Sequence, residues 1–230
     1  KNTKGIYIES PSNPLLKIVD MKAISNLAKS NNLWTMIDNT FASPINQNPI
    51  VYGIDVVIHS ATKYLGGHSD ISAGAVIGSK NHINRIYELA KNLGGTISEF
   101  SAWLLERSIK TLPIRVRKQN KNALELANFL EKNSLVSKVY YPGLVSHDDH
   151  EIAKNQMSGY GGMLSIEISS EISPIIFLKN LRIIKPVMSL GGIESTANYP
   201  KLTSHFSLTQ KERSSQGISN QLIRLSIGIE

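Results

Sequence analysis

The chain has 230 residues, 41% of them hydrophobic, and no cysteine. This excludes a disulfide framework and cysteine-based metal sites, and no apolar run reaches the ~20 residues that a membrane-spanning helix needs. Lys and Arg outnumber Asp and Glu by 25 to 18, a net charge of +7. Such an excess marks a nucleic-acid binder when it is clustered. Here it is scattered, and the densest group, Arg115, Arg117, Lys118 and Lys121, reads as the solvated face of a helix.

In chain order, residues 5–9 read as a short strand broken by the turn Pro11-Ser12-Asn13-Pro14. Asp20 is placed to cap a helix with Ile24, Leu27 and Ala28 on its apolar face, ending near Asn31-Asn32. Strands follow at 33–37, at 54–58 after a polar loop, and at 74–78. Strand, helix and strand with a helix-length crossover predict a parallel sheet and an α/β fold. Residues 82–93 read as a helix stopped by Gly94-Gly95. The next helix, 98–112, closes at Pro113, and another over 114–132 carries Ala123, Leu126, Ala127 and Leu130 at i, i+3, i+4 and i+7. The expected domain change at 112–113 divides the chain into 1–112 and 113–230. Beyond it the pattern predicts strand 136–141, helix 148–157, strand 162–168, helix 173–180, and strands 182–187 and 221–227, in a smaller mixed sheet.

The chemistry concentrates at strand ends, where open α/β sheets bind their ligands. Lys63 follows the strand 54–58 and is flanked by Ser60, Thr62 and then Gly66-Gly67. Its amine is suited to carbonyl chemistry, and the two hydroxyls to a phosphate beside it; in an extended segment both hydroxyls point the same way. Asp38 stands where the strand 33–37 stops. Lysine at one strand end and a carboxylate at another match the two partners that pyridoxal phosphate requires. A turn cap for the loop 39–42 is the alternative role of Asp38. Arg224 alternates with Leu and Ile on a strand, so it has either an anion or a salt-bridging acid to meet. Asn13, before proline, either shapes a turn or contacts a ligand. Gly66-Gly67 and Gly191-Gly192 fit no nucleotide-loop pattern. His59, His68, His147, His150 and His205 lack HExxH or similar spacing, and His147 and His150 read as a solvated helix start, so no metal is expected.

Four stretches resemble one family: Glu9-Ser10-Pro11-Ser12-Asn13-Pro14, Ile37-Asp38-Asn39-Thr40-Phe41, Ser60-Ala61-Thr62-Lys63-Tyr64 and Leu222-Ile223-Arg224-Leu225-Ser226-Ile227-Gly228. The family is that of the pyridoxal-phosphate-dependent trans-sulfuration (Cys/Met metabolism) enzymes, and the resemblance runs the length of the chain. It implies a fold-type I aminotransferase-like architecture: a mostly parallel sheet with helices on both faces, plus a smaller C-terminal α/β domain. It implies that Lys63 is the catalytic, cofactor-bearing lysine and shuttles protons, and that Asp38 partners the ring nitrogen. Ser60 and Thr62 then hold the phosphate, Asn13 contacts the cofactor's phenolic oxygen and the substrate, and Arg224 with Ser189 binds the substrate carboxylate.

It further implies a sulfur amino-acid substrate and a cytoplasmic homo-oligomer, a dimer of dimers, without nucleic acid, membrane or metal. Compared with the family, an N-terminal portion carrying a glycine-rich phosphate loop and a ring-stacking tyrosine is expected to be absent. So is a short helix after Glu230. Met188 stands where γ-synthases and many γ-lyases resemble one another in a glutamate. An apolar thioether does not read a distal ammonium, so the expectation is a carbon–sulfur lyase acting on cystathionine or a related sulfur amino acid. The alternatives are a cystathionine γ-synthase using an O-acylhomoserine, and a catalytically inert fragment or subunit. Residues 196–199 and Ser204 depart from the best-known branches.

Overall fold

A computed structural model describes residues 2–230. Its first half is built on β1 (Gly5–Glu9), α1 (Met21–Ser30), β2 (Trp34–Asp38), the short α2 (Ser43–Asn46), β3 (Val56–Ser60), β4 (Gly74–Gly78), α3 (Lys80–Leu93) and α4 (Glu99–Ile109). The second half follows with α5 (Leu112–Glu131), β5 (Val136–Tyr140), α6 (His150–Gln156), β6 (Met163–Ile168), α7 (Pro174–Asn180), β7 (Lys185–Pro186), β8 (Thr196–Asn198), α8 (Gln210–Ser215) and β9 (Leu222–Ser226).

The first sheet has the order β1-β2-β3-β4, with β1, β2 and β3 parallel and β4 antiparallel to β3. Asp20 caps α1 through its side chain, which accepts from the Ala23 N–H at 2.9 Å. The face that α1 buries is Met21, Ser25 and Ala28, whereas Leu27 is exposed, so the expected face is rotated. The cause is visible at Ser25, whose hydroxyl donates to Gly53 O at 3.0 Å and turns that side of the helix onto the loop before β3. Met21 then packs with Ile37, Ile54 and Val57. The loop between β2 and β3 is shorter than read, because it contains α2 and a 3-10 turn over Pro49–Tyr52.

Pro113 does not close α4. It lies in the first turn of α5, where its missing N–H costs nothing. Arg115 is likewise no part of a solvated face: it is 5% exposed, and Val116 beside it is fully buried. The second sheet has the order β5-β6-β9-β8-β7 and is antiparallel except between β7 and β8. With five strands it has one more than the first. The expected strand 182–187 pairs only at Lys185–Pro186, an edge position where proline's lack of a donor is tolerated. The three-residue β8 was not legible, since Thr-Ala-Asn carries neither alternation nor apolar content. Ala123 and Ala127 of α5 lie in the main core with Leu164, Ile166, Ile223 and Leu225, and Leu126 and Leu130 pack against it, as the spacing predicted. His147 is buried rather than solvated, its Nδ1 accepting from the Asp149 N–H. A second core of Leu16, Phe41, Tyr64, Leu112, Val116, Met163 and Leu190 joins the two halves, and the candidate site lies above it.

Candidate active site

Parallel pairing sets Glu9 opposite Asp38 and Asp38 opposite Ile58, so β1, β2 and β3 deliver their carboxyl ends to one edge of the sheet. Asp38 is the last residue of β2, and Lys63 lies three residues past the end of β3. One oxygen of Asp38 accepts from the Thr40 N–H at 2.9 Å, which is the turn-capping role read from the sequence. The turn does not exhaust the group, because a carboxylate has a second oxygen. Thr40 passes the order on: its hydroxyl accepts from the Ser60 N–H at 2.8 Å and ties the ends of β2 and β3 together.

Residues 61–66 form a tight turn, with Gly66 N–H donating to Ala61 O at 2.8 Å and Gly67 N–H to Lys63 O at 2.7 Å. Ser60 and Thr62 therefore do not alternate along one extended strand. Thr62 Oγ1 accepts from Ala73 N–H at 3.0 Å and lies 3.3 Å from Ala73 O, whereas no hydrogen bond among the described residues occupies the Ser60 hydroxyl. Lys63 is half-buried, and burial first, then the Arg224 guanidinium, lowers its ammonium pKa. Among the described residues no carboxylate pairs with it.

Arg224 enters from the second sheet. It is 3% exposed, and burial holds its pKa down to about 10. Its Nη1 donates to Asn13 Oδ1 at 3.0 Å and its Nη2 to Met188 O at 3.1 Å. The salt-bridging acid that the sequence left open is absent within 4 Å among the described residues. Asn13 is thereby more than a turn former: its oxygen is engaged by Arg224, and its amide nitrogen carries no bond among the described residues. Ser189 follows the Met188 carbonyl, and its own carbonyl accepts from Thr196 Oγ1 at 3.2 Å. The structure thus gathers Asn13, Asp38, Ser60, Lys63 and Arg224 at one edge, with Ser189 beside the arginine's acceptor and Thr62 engaged with the Ala73 peptide.

Two residues escaped the reading of the sequence. Glu9 ends β1 beside Asp38, and burial followed by the Asp38 charge raises its pKa, against the Asn13 N–H and Arg224. His59 is 2% exposed with its Nδ1 unbonded, and burial brings its pKa down to about 4, against the pull of Asp38. The register Glu9–Asp38 was the signal available for Glu9; nothing local marked His59 as buried. Among the described residues no three His, Asp or Glu side chains could hold a metal ion, and no helix is long and apolar enough to cross a membrane.

The sequence model of the Cys/Met metabolism PLP-dependent enzymes matches residues 1–230. The chain is 48% identical over 229 residues to a cystathionine beta-lyase of Lactococcus lactis subsp. cremoris, covering 99% of this chain and 60% of that protein. It is 44% identical over 230 residues to a cystathionine gamma-lyase of Bacillus subtilis, covering 100% of this chain and 61% of that protein. Among solved structures, cystathionine gamma-lyase from Lactobacillus plantarum complexed with L-serine superposes with a TM-score of 0.96 at 41% identity, over 99% of this chain and 60% of that one. The chain therefore spans about three-fifths of the length of these relatives.

Proposed function

Because the chain belongs to the Cys/Met metabolism PLP-dependent enzymes, we propose that it supplies the lysine and the carboxylate clamp of a carbon–sulfur lyase acting on cystathionine or a related sulfur amino acid. The residues at the sheet edge fit pyridoxal phosphate. Among the described residues Lys63 has no acid partner, the Ser60 hydroxyl is unbonded, and Arg224 is buried with no carboxylate within 4 Å. That last observation carries the reading, since a buried unpaired guanidinium is costly unless an anion completes it.

When bound, the cofactor supplies an electron sink for the pair left at the substrate's Cα as its proton departs. Asp38, through its second oxygen, would hold a proton on the pyridine nitrogen. Lys63, with its pKa lowered, is more readily the free amine that would hold the cofactor and move a proton at the substrate's Cα. Ser60 and Thr62 would hold the phosphate. Asn13 would offer its amide to the phenolic oxygen while its Oδ1 steadies Arg224. Arg224 grips the substrate α-carboxylate with its planar fork, beside Ser189.

The lyase reading is supported over a γ-synthase by the 48% identity to a cystathionine beta-lyase. The division at 112–113 into a cofactor-binding portion and a second domain belongs to the same reading, supported by the separate sheets on either side. A cytoplasmic homo-oligomer belongs to it too, and the oligomer is supported by the exposed Tyr87, Leu93, Phe100 and Trp103 on α3 and α4.

The test is Lys63→Ala in the complete enzyme. Borohydride-fixable cofactor should vanish and turnover fall by at least ~10³-fold; persistence of both would assign the chemistry to another residue. Pyruvate rather than 2-oxobutyrate from cystathionine identifies a β-lyase.

A further inference from the structure

Ser165 lies in the middle of β6 and is fully buried. A buried hydroxyl needs a partner. This one finds it far along the chain, donating to Pro14 O at 2.6 Å. The register of the second sheet shows why the two meet. Ser165 is directly opposite Arg224 on the antiparallel β9, and opposed residues of such a pair project from the same face. Their neighbours Leu164, Ile166, Ile223 and Leu225 point the other way, into the main core. Ser165 and Arg224 therefore stand side by side on the face turned towards the loop between β1 and α1. Each catches one of two successive residues there: Arg224 Nη1 donates to Asn13 Oδ1 at 3.0 Å, and Ser165 holds the Pro14 carbonyl.

The loop has little else to hold it at this point. Proline has no N–H to donate, and the Asn13 N–H goes to the Glu9 carboxylate at 3.2 Å. Among the described residues no backbone–backbone hydrogen bond reaches residues 13 and 14. Their place is set by three side chains, those of Glu9, Ser165 and Arg224. Of the three, only Ser165 carries no charge and has its one hydroxyl proton spent on the loop.

We propose that Ser165 is a positioning residue for the substrate carboxylate: by holding the Pro14 carbonyl it keeps Asn13 Oδ1 against the guanidinium and so fixes the plane of Arg224. The inference rests on the carboxylate clamp proposed above and adds to it a residue that acts from behind. A guanidinium meets a carboxylate through two parallel N–H donors only while its plane is aligned with the anion. Met188 O anchors Nη2 at 3.1 Å, and one anchor leaves the fork able to swing about it. The second anchor, Asn13 on Nη1, stops that rotation only if the loop itself is fixed. Removing the Ser165 hydroxyl frees the loop at Pro14. Both tasks of Asn13 then weaken together, the one towards Arg224 and the one towards the cofactor's phenolic oxygen.

The experiment is a double-mutant cycle on the complete, cofactor-loaded enzyme: Ser165→Ala, Asn13→Ala and the two combined. It reads KM for L-cystathionine and the pH midpoint of the bound cofactor's visible absorbance. Ser165→Ala should raise KM about fivefold, the worth of one hydrogen bond. It should also move the absorbance midpoint upward, because a loosened Asn13 amide no longer favours the charged phenolic oxygen. In the Asn13→Ala background the same substitution should change neither quantity, since the two residues act as a unit. A purely structural serine would lower the unfolding midpoint and leave KM and the absorbance where they were. That result overturns the proposal, and so does an equal rise in KM in both backgrounds. With Ser165→Ala unfolded, the cycle is run with Ser165→Cys, which keeps the shape but donates poorly; an unchanged KM there overturns it too. If Asn13→Ala alone leaves KM unmoved, the clamp itself has failed and the positioning role falls with it.

Discussion

Arg115 and Arg224 are both buried, at 5% and 3% exposure, and neither meets a carboxylate within 4 Å among the described residues. Around Arg115 four of the guanidinium's five N–H groups are used. Nη1 donates to Tyr64 O at 2.8 Å, Nη2 to Ser108 O at 3.0 Å and Leu65 O at 3.3 Å, and Nε to Thr111 Oγ1 at 3.1 Å. These carbonyls belong to the turn that carries Lys63 and to the end of α4, so Arg115 fastens the lysine's support from below. Around Arg224 only two bonds form, to Asn13 and Met188, and its positive charge depresses the Lys63 pKa alongside burial. The difference separates scaffold from site. A buried cation whose donors are nearly all spent on the fold is structural, and one with most donors to spare beside a half-buried lysine awaits a ligand.

Replacing each arginine by methionine, of similar reach but without charge, breaks or sharpens this contrast. The largest effect is expected from Arg224→Met in the complete enzyme. Losing a charge-assisted bidentate contact should cost roughly 3–5 kcal/mol of substrate binding, a KM at least ~100-fold higher. Stability should hold or rise, because an unpaired buried charge is removed. A melting temperature lower by many degrees, with KM preserved, would place Arg224 among the scaffold residues instead. Arg115→Met should do the reverse. It strands the Tyr64 and Leu65 carbonyls, whereas Ser108 O keeps the Thr111 N–H and hydroxyl; at about 1–3 kcal/mol each, the loss is roughly 2–6 kcal/mol. The denaturant midpoint reads this directly, and an unchanged midpoint would show that water satisfies the carbonyls.

Arg224 was legible from the sequence because it interrupts Leu and Ile on a strand that otherwise reads as core. Arg115 was not, since it follows Pro113-Ile114 at a helix start and precedes Arg117 and Lys118, a pattern that surface helices share. The strand ends that place Asp38 and Lys63 were visible as apolar runs terminating in polar residues. The position of Thr62 was not, because its hydroxyl is held by hydrogen bonds to Ala73 that only folding brings near. Nor was β8, whose three residues gain their meaning from pairing with β9. What the sequence conveys poorly is any arrangement that long-range pairing decides.

His59 offers the smallest and most selective test of the same idea, a buried polar group with an unmet atom that is held neutral rather than charged. Its pKa in the folded chain is about 4, below the ordinary 6.5, because burial disfavours the imidazolium more than Asp38 favours it. The unfolded chain therefore binds the proton more readily between those values. The stability tied to a neutral His59 is fully present above pH 6.5 and is lost as pH falls towards 4. A shift from 6.5 to about 4 sets a ceiling of about 3 kcal/mol at 1.36 kcal/mol per unit. His147 and His205 are lowered by burial too, so the wild-type curve alone does not isolate the effect. Subtracting the curve of His59→Gln does, because glutamine cannot titrate and the other histidines cancel. The difference between the two unfolding free energies should be flat above pH 6.5 and grow in the variant's favour from there to pH 4. A flat difference across the whole range would mean that Asp38 offsets burial, and one that grows in the wild type's favour would mean that Asp38 dominates at the end of β3.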